Sequence, residues 1–178
     1  MWGYFITFEG GEGSGKSTQI GRLEENLRTK HGYLTLLTRE PGGTRIGEKI
    51  RSILQDPDLK EITPQAEAYL FAAARAQIVS EKIFPALKEG KVVLVDRYLD
   101  SSMVYQGSVK RLGNDLSAER AIEEVIKLNR WATQKLMPDL TLILDINPEE
   151  LLKRLVSKSR KDNEPLEFHE KVREAYLL

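Results

Sequence analysis

The stretch that most restricts this chain is residues 9–18, EGGEGSGKST, in which four of ten residues are glycine. An apolar run, Tyr4–Phe8, precedes it, and Ser17–Lys30 follows with the composition of a helix. Gly10-Gly11-Glu12-Gly13-Ser14-Gly15-Lys16-Ser17 fits G-x-x-x-x-G-K-[ST], and a strand before and a helix after are the setting that P-loop pattern needs. Glycines allow successive N–H groups to turn inward around a phosphate. A helix starting near Lys16 aims its free N–H groups and dipole at the same anion. Gly10 to Thr18 are therefore expected to cradle the phosphates of a nucleoside triphosphate. Lys16 should reach the β- and γ-phosphates and Ser17 should bind Mg²⁺. The loop alone leaves the acceptor open, because kinases, switches and motors all use it.

Beyond the loop, short apolar runs alternate with helical patterns. The runs are Tyr4–Phe8, Leu34–Thr38, Val92–Asp96 and Thr141–Asp145. They are continuously apolar rather than alternating, as parallel strands covered on both faces are. Helices are expected at Ser17–Lys30, stopped by His31-Gly32, and at Gly47–Leu54. A further one runs from the Thr63-Pro64 cap toward Lys88, then Asp100–Tyr105, Ser117–Leu136, Pro148–Arg154 and Glu167–Leu177. Ile122, Val125, Leu128, Ala132 and Leu136 form an apolar stripe at helical spacing. This order predicts one α/β domain over residues 1–178, a doubly wound parallel sheet of four recognisable strands that binds ligands at the strands' carboxyl ends.

Bulk properties narrow the partners. Acids and bases balance at 27 each, so no overall field favours nucleic acid or a membrane surface. There is no cysteine, which removes disulfides and thiolate metal sites and suits a cytoplasmic protein. No apolar run is long enough for a membrane helix, and the N-terminus has no secretory pattern. His31 and His169 read as surface residues, and Met103, Trp2 and Trp131 as packing residues.

Three further stretches bear on the acceptor. Arg39-Glu40-Pro41-Gly42-Gly43-Thr44 follows the second strand, with Arg51 on the short helix behind it. Phe71 and Arg75, four apart, share a helix face. A ring beside a guanidinium suits a flat base with carbonyl groups, and equally a core phenylalanine beside a surface arginine. Asp96-Arg97-Tyr98 ends the third strand. A carboxylate there suits a Mg²⁺ ligand, and the Asp-Arg pair also suits a local ion pair. Ser102, Tyr105 and Gln106 follow at helical spacing, with polar groups fit for the edge of a pyrimidine or for capping and packing.

As an ordered set, FEGGEGSGKST, REPGGT, Phe71-Ala-Ala-Ala-Arg75 and DRY with DSSMVYQG resemble the bacterial thymidylate kinases, from Phe5 to about Tyr176. The resemblance implies transfer of the ATP γ-phosphate to dTMP. It implies that Phe71 stacks on thymine, that Arg75 bonds the base, and that Tyr105 excludes a ribose 2′-hydroxyl. Arg97 would contact the acceptor phosphate, Arg51 would bind the monophosphate with Arg39 as a further candidate, and Glu12 would lie near the sugar 3′-hydroxyl. A lid is expected at about residues 153–165, with Arg160 acting over the transferred phosphate and Arg154 and Lys158 behind it. Compared with the family pattern this lid is a few residues short. Family members also carry a fifth strand and a last helix after the counterpart of Tyr176. Either the chain is a truncated variant or further residues follow. A sheet lacking that strand would present an apolar edge, which favours the second, and an intact mass several kDa above that of these 178 residues would support it. Homodimers are usual in the family, and the helices around Thr63–Lys88 and Ser117–Leu136 are the candidate contact. Rival readings are a kinase for another nucleotide such as dUMP, or a P-loop switch that hydrolyses its nucleotide with water. The sequence has no N-K-x-D motif for guanine.

Overall fold

The structure is a computed structural model that describes residues 2–113, 116–154 and 164–178. Four parallel strands form one sheet: β1 (Tyr4–Glu9), β2 (Thr35–Arg39), β3 (Val92–Asp96) and β4 (Leu140–Ile143), in spatial order β2-β3-β1-β4. The described helices are α1 (Lys16–His31), α2 (Arg45–Gln55), α3 (Pro64–Ile78), α4 (Phe84–Lys88), α5 (Leu99–Ser102), α6 (Ala118–Ala132), α7 (Pro148–Arg154) and α8 (Leu166–Leu177). A π-helical turn, Val79–Ile83, joins α3 to α4, and a second, Met103–Val109, extends α5. Among the described residues no helix is long and apolar enough to cross a membrane.

The two central strands explain the layering. Phe5, Val93 and Val95 face one side and pack on Ile78, Val79, Ile83 and Leu87. Phe8, Val92 and Leu94 face the other and pack on Ile20, Leu23 and Leu27 of α1. Strands buried on both faces must be apolar throughout, which is why their runs do not alternate. A third cluster joins Val104 and Tyr105 to Val172 and Tyr176 of α8.

Local signals set several helix ends. Thr63 Oγ1 accepts from Ala66 N at 3.2 Å ahead of Pro64, and Gly32 closes α1 at φ 69°. Thr44 caps α2 through Gly47 N at 2.9 Å, so this helix starts two residues before the expected Gly47. The helix expected to reach Leu136 ends at Ala132, although Leu136 still packs on the core. Three expectations fail. Trp2 is half exposed, although its ring meets Phe84 edge-on. His169 is buried, on the face of α8 turned to the fold rather than on its charged face. Trp131 is 90% exposed, because it falls off the α6 face that buries Ala121, Val125, Asn129 and Ala132.

Strand register assembles the site. Phe8 and Arg39 both lie opposite Asp96, and Glu9 lies opposite Ile143. The chain leaves β1 for β2 at one edge and leaves β3 for β4 at the other. The crevice at this reversal, beyond the carboxyl ends of β1 and β3, is where such sheets bind ligands.

Candidate active site

The P-loop fills the turn from β1 to α1. Gly10 has φ 128°, and a Cβ there would run into the carbonyl oxygen of Leu144. Gly15, the N-cap of α1, has φ 94° and offers no side chain to the helix's free N–H groups. The first turn of α1 carries no acid. Its N–H groups and dipole are thus left for an anion. Lys16 is folded back, its Nζ donating to Gly11 O at 2.7 Å and Gly10 O at 3.1 Å. Burial, then the charge of Arg97, holds its pKa down at about 8. Ser17 Oγ donates to Asp96 Oδ2 at 3.0 Å. Hard oxygens from the first turn of α1 and the end of β3 therefore converge beside the loop, a donor set that would suit Mg²⁺.

A cavity of about 660 Å³ runs from this loop along the sheet's edge. Its walls include Glu12, Lys16, Ser17, Thr18, Arg39, Arg51, Phe71, Arg75, Asp96, Arg97, Ser102, Tyr105 and Gln106. The structure therefore brings the loop candidates Glu12, Gly13 and Gly15 to Thr18 and the acceptor candidates into one space, while Gly10 and Gly11 line a smaller cavity beside His169. Arg154 of α7 also lines it. Arg160 and Lys158 lie outside the described residues.

The cations differ in how they are held. Arg39 Nη2 meets both oxygens of Glu48 at 3.1 Å on an exposed face. The Gly43 N–H, then Arg39, lower the Glu48 pKa. Arg51 Nη1 donates to Pro41 O at 2.9 Å, and burial, then Arg39, lower its pKa. Arg75 is 1% exposed. It donates from Nε to Glu40 Oε2 at 2.7 Å, from Nη1 to Ser102 Oγ at 2.9 Å and to Asn129 Oδ1, and from Nη2 to Tyr98 O at 2.8 Å. Burial pushes the Glu40 carboxyl up to about 7 against the pull of Arg75. Glu40 Oε1 is buried without a partner among the described residues.

Arg97 stands at φ 71°, with Nη2 on Glu12 Oε1 at 2.9 Å and its guanidinium 5.3 Å above the Tyr105 ring. Burial opposes its charge, but Glu12 and the other surrounding groups hold its pKa well above the ordinary value. Burial raises the Tyr105 phenol to about 12. Gln106 Nε2 donates to buried Glu67 Oε1 at 2.8 Å, and Lys110 Nζ reaches Glu67 Oε2 at 2.9 Å. Asn129, Glu67 and Tyr176 were given no role by the sequence reading. Glu40 and Ser101 stood inside its motifs without one, and Glu9 showed a signal, a carboxylate ending an apolar strand just as Asp96 does.

Comparison with known proteins agrees with this geometry. The family model for thymidylate kinase matches residues 8–178. The thymidylate kinase of Caldanaerobacter subterraneus subsp. tengcongensis is 51% identical over 179 residues, spanning 99% of this chain and 81% of that protein. That of Oceanobacillus iheyensis is 48% identical over 181 residues, spanning 99% and 76%. The crystal structure of thymidylate kinase from Ehrlichia chaffeensis matches with a TM-score of 0.78 at 31% identity, covering 99% of this chain and 86% of that one. The fold is that of the P-loop kinases, and the chain belongs to the thymidylate kinase family.

Proposed function

We propose that the cavity is a two-substrate site in which this nucleoside monophosphate kinase transfers the γ-phosphate of ATP to dTMP, giving dTDP and ADP. One observation carries the reading: the P-loop and the Phe71–Arg75–Gln106 wall line the same cavity. Donor and acceptor can then be held in line without a covalent enzyme intermediate.

ATP phosphates take the P-loop N–H groups of Gly10 to Thr18, and Lys16 turns from its two carbonyls to the β- and γ-oxygens. Ser17 and Asp96 would hold Mg²⁺. When bound, that ion neutralises charge on the phosphate oxygens. Phe71 supplies a ring for the thymine, with Arg75, Ser102 and Gln106 as the polar groups along the base. Tyr105 closes the sugar side against a 2′-hydroxyl. Arg39, Arg51 and Arg97 bind the acceptor phosphate, and Glu12 sits between Arg97 and the sugar. An acceptor phosphate oxygen attacks the γ-phosphorus while the bond to the β–γ bridging oxygen breaks. Fixed cations around the transferred group stabilise its charge. Arg160 is assigned a place over that group from the sequence.

The protein acts as one cytoplasmic domain, paired as a homodimer through α3 and α6, where Tyr69 (64%), Ile126 (40%) and Trp131 (90%) stand exposed. Sedimentation would test the pairing, and a monomer at micromolar concentration would refute it. The activity is tested by ADP formation from ATP and Mg²⁺ with no acceptor, dTMP, dUMP, dCMP, the thymine ribonucleotide and GMP. ADP released chiefly with dTMP is expected. Equal release without any acceptor would make the protein a hydrolase and overturn the reading.

A further inference from the structure

The guanidinium of Arg97 is held from both ends. Its backbone lies at φ 71°, which a bulky residue adopts only where its surroundings impose it. Nη2 meets Glu12 on the cavity side. Nη1 turns inward and donates to Ser101 Oγ at 3.0 Å and to the Tyr176 hydroxyl at 3.1 Å. Tyr176 comes from α8, 79 residues away, and belongs to none of the phosphate-binding motifs. The two hydroxyls lie 2.9 Å apart. Both also reach one oxygen of fully buried Glu9: Oε2 is 2.6 Å from Ser101 Oγ and 3.1 Å from the Tyr176 hydroxyl. The other Glu9 oxygen accepts the Tyr98 N–H at 2.7 Å.

Donor counting fixes the direction of these bonds. Arginine only donates, so each hydroxyl accepts from Nη1 and has one proton left to give. Glu9 Oε2 can take both. With Glu9 ionised, every group in the cluster is satisfied. With Glu9 protonated, as its burial favours, one hydroxyl proton passes to the other hydroxyl across their 2.9 Å contact, so the link from Glu9 to Arg97 holds in either state.

We propose that Tyr176 is a positioning residue for phosphoryl transfer: with Ser101 it links the buried Glu9 carboxylate to Arg97 and fixes the guanidinium's aim. The inference rests on the reading of Arg97 as a ligand of the acceptor and transferred phosphate. The physical advantage lies in the spacer. Neutral hydroxyls orient two N–H groups while keeping the carboxylate one atom further off. The charge of Arg97 is thus met directly by Glu12 alone among these carboxyls, and Nη2, on the cavity side, turns to phosphate once Glu12 is released. The Tyr176 ring is itself locked by Val104, Tyr105 and Val172.

Tyr176→Phe keeps the ring and removes the hydroxyl. The test is a double-mutant cycle with Arg97→Ala, read by steady-state kinetics with ATP and dTMP, by calorimetric dTMP affinity and by thermal unfolding. In the wild-type background Tyr176→Phe should lower kcat/KM about tenfold with a thermal midpoint within roughly 4 °C of the parent. In the Arg97→Ala background it should cost nothing more, in rate or in affinity. Ser101→Ala should show the same dependence on Arg97. Equal losses in both backgrounds would reduce Tyr176 to a packing residue, and wild-type kinetics for Tyr176→Phe would refute the tether outright. A failure of the underlying reading looks different: Arg97→Ala would itself turn over like the wild type.

Discussion

Glu40→Gln sets two effects against each other, and the structure says which wins. Glu40 is buried against Arg75 with a 2.7 Å charge-assisted bond, which by itself would keep the carboxylate ionised far into acid. Burial acts the other way and is the larger cause, so the carboxyl moves from 4.5 up to about 7. The folded state then binds this proton more tightly than the unfolded chain. Its contribution to stability is complete below pH 4.5 and is lost as pH rises through about 7. The gap of about 2.5 pH units at about 1.4 kcal/mol per unit is worth about 3 kcal/mol, most of it lost between pH 5 and pH 8. The glutamine variant keeps the shape and an acceptor for Arg75 Nε but has no such titration. Urea unfolding of both proteins at pH 5, 6, 7 and 8 reads the difference directly. The wild type's advantage over Glu40→Gln should shrink as pH rises. An advantage that grows with pH would mean the ion pair outweighs burial and would refute the reasoning.

Three further outcomes are expected. Lys16→Met should lower turnover at least about 100-fold while leaving the urea midpoint unchanged or higher at pH 7, since burial already opposes this lysine's charge. A depressed lysine pKa makes the wild type gain stability between about pH 8 and 10.5, and the variant should lose that rise. Ser17→Ala should raise the Mg²⁺ concentration for half-maximal rate roughly tenfold or more, and an unchanged Mg²⁺ titration would remove Ser17 from the metal site. Phe71→Ala should raise the dTMP KM by about 5- to 150-fold, the worth of one base–aromatic stack, with the ATP KM little changed. Equal rises for both nucleotides would place Phe71 in the core instead.

Much of the fold was legible because its signals are local. A doubly covered strand must be apolar along its length, and each expected strand lies within two residues of the observed one. The caps at Thr63 and Gly32 act over three and five residues, so they too are written in short words of sequence. The unreadable features depend on partners far along the chain. Glu9 meets Tyr176 across 167 positions, and Arg75 meets Asn129 across 54. No spacing rule reaches that far. His169 stood among Glu167, Glu170 and Lys171, and its burial follows from which face of α8 meets the sheet's loops. The π-helical turn that carries Tyr105 and Gln106 is a one-residue slip in helix bonding, set by packing on α6 and α8 rather than by composition.

The cations expected to meet phosphate and the one expected to meet a base differ in the partner each already holds. Lys16 and Arg51 rest on neutral carbonyl oxygens, so a phosphate can take them without stranding an anion. Arg39 shares Glu48 on an open surface, where water can solvate the carboxylate that is displaced. Arg97 shares Glu12, whose side chain is 35% exposed, and the released carboxylate again faces solvent. Arg75 is the exception. Its partner Glu40 is buried, and losing Arg75 would push a carboxyl already raised to about 7 further up, so a proton would have to replace the arginine. On the proposed reading a phosphate would take Lys16, Arg51, Arg39 and Arg97 and would leave Arg75 in place. Tied to Glu40, Ser102, Asn129 and the Tyr98 carbonyl, Arg75 is fixed enough to read the neutral edge of a base. The proposed division between phosphate-binding and base-reading cations follows from what each would have to let go.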